Sequence, residues 1–301
     1  MLHQPALTSP SVVARIMKEH GLSFRRSLGQ NFLIDRHILE KMLSAAAIQP
    51  DECVIEIGSG MGTLTVAMAP LCRRFVAVEI DRSLVPLLEA HTAGFGNVTV
   101  VQGDATKMDF RAMLAKGCDC DRPRPWKVVS NLPYYVTSPI VTGLLFSGAA
   151  ISRIVLMVQR EVAQRMTAPP GSDDYGAFSV ACQYKTRPEI YAPVPRTAFM
   201  PAPEVDSAIV VMDVRESPEY SVPDEGLFFR VVREAFNYRR KTISSALRSA
   251  FGRESVRDAL AAAGIDPSRR GETLSLAEFA ELSRCFLVKG SPGVAPPRLP
   301  E

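Results

Sequence analysis

Cys53-Val54-Ile55-Glu56-Ile57-Gly58-Ser59-Gly60-Met61-Gly62-Thr63 is the stretch that decides how this chain is built. A short apolar run ending in turn residues reads as a buried strand. The glycines behind it permit a tight turn and let a ligand approach the backbone closely. The helical pattern that follows offers free N–H groups to an anion. The stretch is therefore a strand–loop–helix unit with a binding loop at the strand's carboxyl end. Taken alone, the loop suits a dinucleotide, another anionic ligand or a bare tight turn equally well.

Working outward, the same texture repeats. Apolar runs at 75–79, 97–101, 126–130 and 154–158 alternate with helical segments. Such alternation predicts an α/β domain with a mainly parallel sheet and helices on both faces. Ligands in these sheets bind beyond the carboxyl ends of the strands, so the residues just after each strand become the site candidates. Glu79 ends the second run, where a carboxylate can accept both hydroxyls of a ribose. Asp104 follows the third, where it can accept from an adenine amino group. With Gly58 and Gly60 they describe a pocket for an adenosine moiety. S-adenosylmethionine, which has no pyrophosphate, would set its carboxylate against the glycine loop.

The fourth run ends in Asn131-Leu132-Pro133-Tyr134. An adenine amino nitrogen is a poor nucleophile, because its lone pair is delocalised into the ring. Two acceptors aimed at its hydrogens favour the localised lone pair that develops in the transition state. The Asn131 side-chain oxygen and the Leu132 carbonyl can supply them. Pro133 stiffens the turn, and Tyr134 offers a stacking face for an extruded base. Phe199 is a candidate for the opposite side of the base, a core position being its competing placement.

The ends of the chain differ from its middle. A helix is expected over 11–20 and another from about Asp35. A strand is expected over 207–212, after a proline-rich stretch, and helices over 226–236, 242–251, 255–263 and 275–286. Residues 290–301 include four prolines and read as a disordered tail. Net charge is +3, too small to demonstrate a nucleic-acid partner. Its distribution is more telling. Arg230, Arg233, Arg239, Arg240, Lys241, Arg248 and Arg253 face a single acid, Glu234, within 24 residues. Arg239, Arg240, Lys241 and Arg248, together with Arg25 and Arg26 near the start, are the candidate phosphate contacts. No run of about 18 apolar residues occurs, so no membrane span is expected. No secretory signal is read at the start. The six scattered cysteines read as reduced thiols of a cytoplasmic protein. Cys118-Asp119-Cys120 lacks a second ligand pair at zinc spacing, so no metal is expected.

The motifs together resemble the ribosomal RNA adenine dimethyltransferase family. The resemblance runs from Ser27-Leu28-Gly29-Gln30-Asn31-Phe32-Leu33 through Glu56–Gly60, Glu79-Ile80-Asp81, Gly103-Asp104-Ala105 and Asn131–Tyr134. It continues through Gln159-Arg160-Glu161, Tyr175-Gly176 and 199–208 to Glu234–Thr242. It implies a Rossmann-like class I methyltransferase domain with a mainly parallel seven-stranded sheet, and a small all-helical domain. The resulting division is an N-terminal extension at 1–24, the methyltransferase domain at 25–217, a helical RNA-binding domain at 218–288 and a tail at 289–301. The implied activity is dimethylation of N6 on two adjacent adenosines of the 3′-terminal hairpin of small-subunit ribosomal RNA. S-adenosylmethionine is the implied donor and S-adenosylhomocysteine the product. The implied substrate lies within an immature small subunit, and the implied protein is a monomer. By the same resemblance Asn31, Leu33, Gly58, Glu79, Asp104 and Asn131 contact or border the cofactor, and Gln30 lies in a segment that closes over it. The loop at 117–125 and both terminal extensions depart from the family pattern. The rival readings are a large-subunit methyltransferase of the macrolide-resistance type and an assembly factor that acts by binding. A DNA adenine methyltransferase usually carries Asp-Pro-Pro-Tyr or Asn-Pro-Pro-Tyr in place of Asn131–Tyr134. A nicotinamide dehydrogenase explains the glycine loop but not that turn.

Overall fold

In a computed structural model of the chain, residues 6–25, 28–115, 125–238 and 240–288 are described. The loop at 117–124, the tail at 289–301 and the candidates Arg26 and Arg239 lie outside the described residues.

In chain order the elements are α1 (Pro10–Glu19), β1 (Phe32–Leu33), α2 (Arg36–Ala46), β2 (Cys53–Ile57), α3 (Thr63–Met68), β3 (Arg74–Glu79), α4 (Val85–Thr92) and β4 (Val98–Gln102). They continue with α5 (Phe110–Ala115), β5 (Trp126–Asn131), α6 (Thr137–Phe146), β6 (Ile151–Gln159), α7 (Arg160–Thr167), α8 (Ala177–Lys185), β7 (Thr186–Val194), β8 (Phe199–Met200) and β9 (Ser207–Val214). Four helices finish the chain: α9 (Glu225–Phe236), α10 (Ile243–Phe251), α11 (Arg253–Ala262) and α12 (Leu276–Val288). The chain divides into two compact units. One holds residues 1–163 and 188–214, the other 164–187 and 215–301.

The first unit is built on a seven-stranded sheet in the order β4-β3-β2-β5-β6-β9-β7. The pairs β2–β3, β3–β4, β2–β5 and β5–β6 are parallel, and β6–β9 is antiparallel. Central strands read as continuous apolar runs because helices cover both faces, and every residue of β2 is buried. The core gathers Val54, Phe75, Ala77, Val129, Val155, Met157 and Ile209 under α2 and α3. Burial of each large apolar side chain contributes about 1.5–3 kcal/mol. α2 starts where Asp35 accepts from the N–H groups of His37 and Ile38, a cap worth about 1 kcal/mol. A second cluster ties the N-terminal helix to the sheet domain: Val13, Ile16 and Met17 of α1 are buried with Phe32, Met61, Leu84 and Leu87. The chain passes from β2 outward through β3 to β4, and then returns to place β5 on the other side of β2. The crevice beyond β2 and β5 is the switch point, where α/β sheets bind ligands.

Strand β7 was not expected. It carries Pro188 and Pro193, which cannot donate to a ladder, and its place at the sheet's edge tolerates them.

The second unit packs helices around aromatic rings. Tyr184 stacks on Phe228 at 4.8 Å between centroids, and Phe251 on Phe286 at 4.4 Å. Asp224 caps α9 through the N–H of Leu227, and Thr242 caps α10 through that of Ser245.

Candidate active site

A cleft of about 680 Å³, mouth included, opens at the switch point within the first unit. Three stretches form most of it, the glycine loop after β2, the turn after β5 and a strap of residues 28–33 lying across them, and Glu79, Ile80 and Leu84 at and beyond the end of β3 complete the lining.

The glycine loop requires glycine. Gly58 and Gly60 have φ of 74° and 58°, in the left-handed region that a Cβ disfavours by about 1–2 kcal/mol. A Cβ on Gly58 would sit 3.4 Å from Pro133 Cδ, and one on Gly60 2.9 Å from Phe32 of the strap. The loop therefore touches both other walls. Ser59 Oγ is buried in the cleft lining and finds no hydrogen-bond partner of good geometry among the described residues.

Two carboxyls face this cleft. Glu79, only 5% exposed, accepts from the N–H of Gly60 at 2.6 Å and of Asp81 at 2.8 Å. Burial pushes its pKa up, and those two N–H groups oppose the rise. Glu56 accepts from the Thr65 hydroxyl. Its pKa is pushed up to about 8, chiefly by burial, with the Thr65 hydrogen bond working against it.

The turn after β5 holds its amide in one orientation. Asn131 Nδ2 donates to the Asn31 carbonyl of the strap at 2.9 Å. That leaves the amide oxygen free of this contact, on a residue that lines the cleft. Leu132, Pro133 and Tyr134 line it too. The Tyr134 hydroxyl hydrogen-bonds with Ser207 Oγ on β9 at 2.6 Å, which pins the ring. Tyr135, beside it, is exposed.

The structure thus brings together Gln30, Asn31, Leu33, Gly58, Gly60, Glu79, Asn131, Leu132, Pro133 and Tyr134. Two expected residues do not line the cleft. Phe199 is 2% exposed and pairs across β8–β1 with Leu33, inside the core. Of the two placements the sequence left open for it, beside the base or in the core, the structure shows the ring among the buried core residues. Asp104 caps its own turn, accepting from the N–H and hydroxyl of Thr106 and pairing with Lys107 at 3.4 Å. Those local hydrogen bonds from Thr106 hold its carboxyl below the usual range. Arg25 is not a free cation either: it pairs with Asp81 at 3.2 Å.

Sequence reasoning passed over Asp81, Ser207 and Glu56. Asp81 stood inside a quoted motif, but nothing in the spacing assigned it a task. Ser207 reaches Tyr134 across 73 residues, a contact no local pattern reports.

In the second unit, Arg240, Lys241, Arg248 and Arg253 are exposed. Arg230 is otherwise engaged, lying over the Phe251 ring and donating to the Ala250 carbonyl. Arg233 pairs with Glu234.

Among known proteins, the sequence profile of the family described as ribosomal RNA adenine dimethylase matches residues 21–286. A protein of Pelotomaculum thermopropionicum named ribosomal RNA small subunit methyltransferase A is 47% identical over 290 residues, 94% of this chain and 98% of that one. A Moorella thermoacetica protein of the same name is 49% identical over 282 residues, 93% and 98% of the two chains. Among solved structures, a dimethyladenosine transferase of Plasmodium falciparum is similar with a TM-score of 0.69 and 25% identity, over 83% of this chain and 95% of that one. The 23S rRNA methyltransferase ErmE is similar with a TM-score of 0.65 and 26% identity, over 85% and 99%.

Proposed function

This chain belongs to the ribosomal RNA adenine dimethylase family, and from that premise we propose how its cleft works. The protein uses S-adenosylmethionine to dimethylate N6 of two adjacent adenosines in the 3′-terminal hairpin of small-subunit ribosomal RNA. The observation that supports this reading best is the Asn131 amide, held by the Asn31 carbonyl with its oxygen left for a substrate amine.

The cleft suits the donor. Its loop takes positive φ at Gly58 and Gly60, which lets a ligand approach the backbone, and the Glu79 carboxyl and the Ser59 hydroxyl are polar groups in the lining that a nucleoside and an amino-acid part can engage. Gly58 and Gly60 would border the methionine part, and Glu79 would accept the ribose hydroxyls. Gln30, Asn31 and Leu33 would close over it. Asp104 would take an adenine amino group at Oδ2, since Oδ1 already accepts both Thr106 donors. The bound donor supplies a methyl group made electrophilic by a positively charged sulfur.

The chain's own residues do the rest. The Asn131 oxygen and the Leu132 carbonyl would accept the two N–H groups of the adenine amine, drawing its lone pair out of the ring. Tyr134 would stack on the extruded base, its ring held by Ser207. No strong base is needed, because the surplus proton leaves a far more acidic, alkylated nitrogen. Arg240, Lys241 and Arg248, with Arg239, would hold RNA phosphates, positioning the hairpin without reading its bases.

The finer assignments belong to the same reading: an immature small subunit as substrate, a monomeric enzyme and a cytoplasmic location. Among the described residues no helix is long and apolar enough to cross a membrane. ErmE represents the large-subunit alternative at 26% identity, well below the relatives named for the small subunit. The decisive experiment supplies labelled S-adenosylmethionine and undermethylated small subunits, then locates the label by mass spectrometry. Label on two adjacent adenosines of the hairpin is expected; label only in large-subunit RNA would refute the reading.

A further inference from the structure

Asp81 is a buried carboxylate whose partners come from far away in sequence. Its residue is 2% exposed. Oδ1 accepts from the N–H and hydroxyl of Ser83, at 3.0 and 2.7 Å, a local turn that by itself would be unremarkable. Gln30 Nε2 then reaches Oδ2 at 2.7 Å, and the Arg25 guanidinium reaches Oδ1 at 3.2 Å. Burial acts to raise the pKa of this carboxyl. The hydrogen bonds of Ser83 and Gln30 and the charge of Arg25 outweigh it, and the carboxyl stays below its usual range.

Gln30 has no freedom to turn its amide round. Its Oε1 accepts from the backbone N–H of Arg25 at 2.8 Å, so its amino end must face Asp81. The next residue, Asn31, gives its carbonyl to Asn131 Nδ2. Residues 32–34 have their own anchor in the β1–β8 pairing and the Ile34 N–H to Ala198 carbonyl bond. Residues 28–31 lack that ladder and are held at Gln30 by Asp81. The same Asp81 donates its backbone N–H to Glu79.

We propose that Asp81 is a positioning residue for methyl transfer: it holds the strap over the cleft, and the Asn31 carbonyl on that strap then fixes the Asn131 amide with its oxygen toward the substrate amine. This rests on the reading of the cleft given above and adds to it a link between donor binding and amine orientation. Asp81 is not among the residues that line the cleft, so it acts through the neighbours that do, Gln30 and Glu79.

A reciprocal swap tests the link. In Asp81→Asn the oxygen is held by Ser83 and Arg25, which sets the new amino group against that of Gln30; turning the new amide moves the clash to the Ser83 N–H and Arg25, and turning Gln30 moves it to the Arg25 N–H. In Gln30→Glu two carboxylates face each other. With both changes made, the carboxylate at 30 accepts from the carboxamide at 81 and from Arg25, and every donor is matched. Measured on the full chain, each single variant is expected to weaken S-adenosylmethionine binding and to lower kcat at saturating donor, each by about tenfold, the loss that goes with one hydrogen bond to a charged group. The double variant should return to within roughly threefold of wild type, as expected for directly coupled residues. Calorimetry reads the binding, and undermethylated small subunits report kcat. Wild-type values in either single variant, or a double variant as poor as the two losses multiplied, would overturn the proposal. If Asp81→Asn does not fold, Gln30→Glu at its half-buried position carries the test alone, and wild-type kinetics there are disproof. The functional reading fails separately, and takes this proposal with it, if wild-type protein neither binds the donor nor transfers methyl.

Discussion

Replacing Asn131 by alanine probes the contact on which the proposed chemistry turns. The change removes the amide that now donates to the Asn31 carbonyl at 2.9 Å. Its structural cost is one partly buried hydrogen bond, about 1 kcal/mol of stability. The cost to reaction is larger. An acceptor that meets developing charge in a preorganised, water-poor site is worth about 10²–10³ in kcat when removed. Donor affinity should change less than about fivefold, near 1 kcal/mol, because the glycine loop and Glu79 stay in place. Asn131→Asp is the informative companion. It keeps a side-chain oxygen but sets a second acceptor against the Asn31 carbonyl, so the group must swing away and turnover should fall as well. The assay is single-turnover methylation of undermethylated small subunits at saturating S-adenosylmethionine, with donor binding measured in parallel by calorimetry. A kcat for Asn131→Ala within tenfold of wild type would refute the argument that this amide activates the amine.

Ser207→Ala frees the Tyr134 ring without touching the glycine loop; kcat should drop by up to about tenfold, the worth of one hydrogen bond, while donor affinity holds, and an equal loss in both would count against a role confined to Tyr134. Glu56 keeps its proton up to about pH 8 when folded but loses it near 4.5 when unfolded. The unfolded chain therefore binds fewer protons between those values, and the stability this group contributes is full below 4.5 and lost as pH rises to 8. Denaturant midpoints of wild type relative to Glu56→Gln should fall across that window, and a pH-independent difference would contradict a retained proton. Replacing Arg240, Lys241 and Arg248 by alanine should flatten the dependence of log K on log salt for RNA by up to about 2 units, at roughly 0.7 for each phosphate no longer neutralised; an unchanged slope would remove these residues from the phosphate surface.

Much of this protein could be read from local pattern, because strands and turns announce themselves over a few residues. The run at 53–57, its glycines, and the turn at 131–134 stand in the structure where the pattern put them. Parallel strands buried on both faces leave continuous apolar runs, and the residues after them have to sit at one end of the sheet. Strand β7 escaped notice because its prolines are tolerated only at an edge, and edge position is a property of the assembled sheet.

What the chain alone determined was which residue types gather at the carboxyl edge, since the βα order leaves them no other place. What only the folded molecule decided was which way each side chain turned. Phe199 went to the core, where its ring escapes water, and Asp104 took the nearest N–H and hydroxyl on offer. Asp81 and Asn131 were joined through the adjacent strap residues Gln30 and Asn31, which lie about 50 and 100 residues from them. Hydrogen bonds over such distances depend on directions fixed by packing, and no spacing along the sequence encodes them.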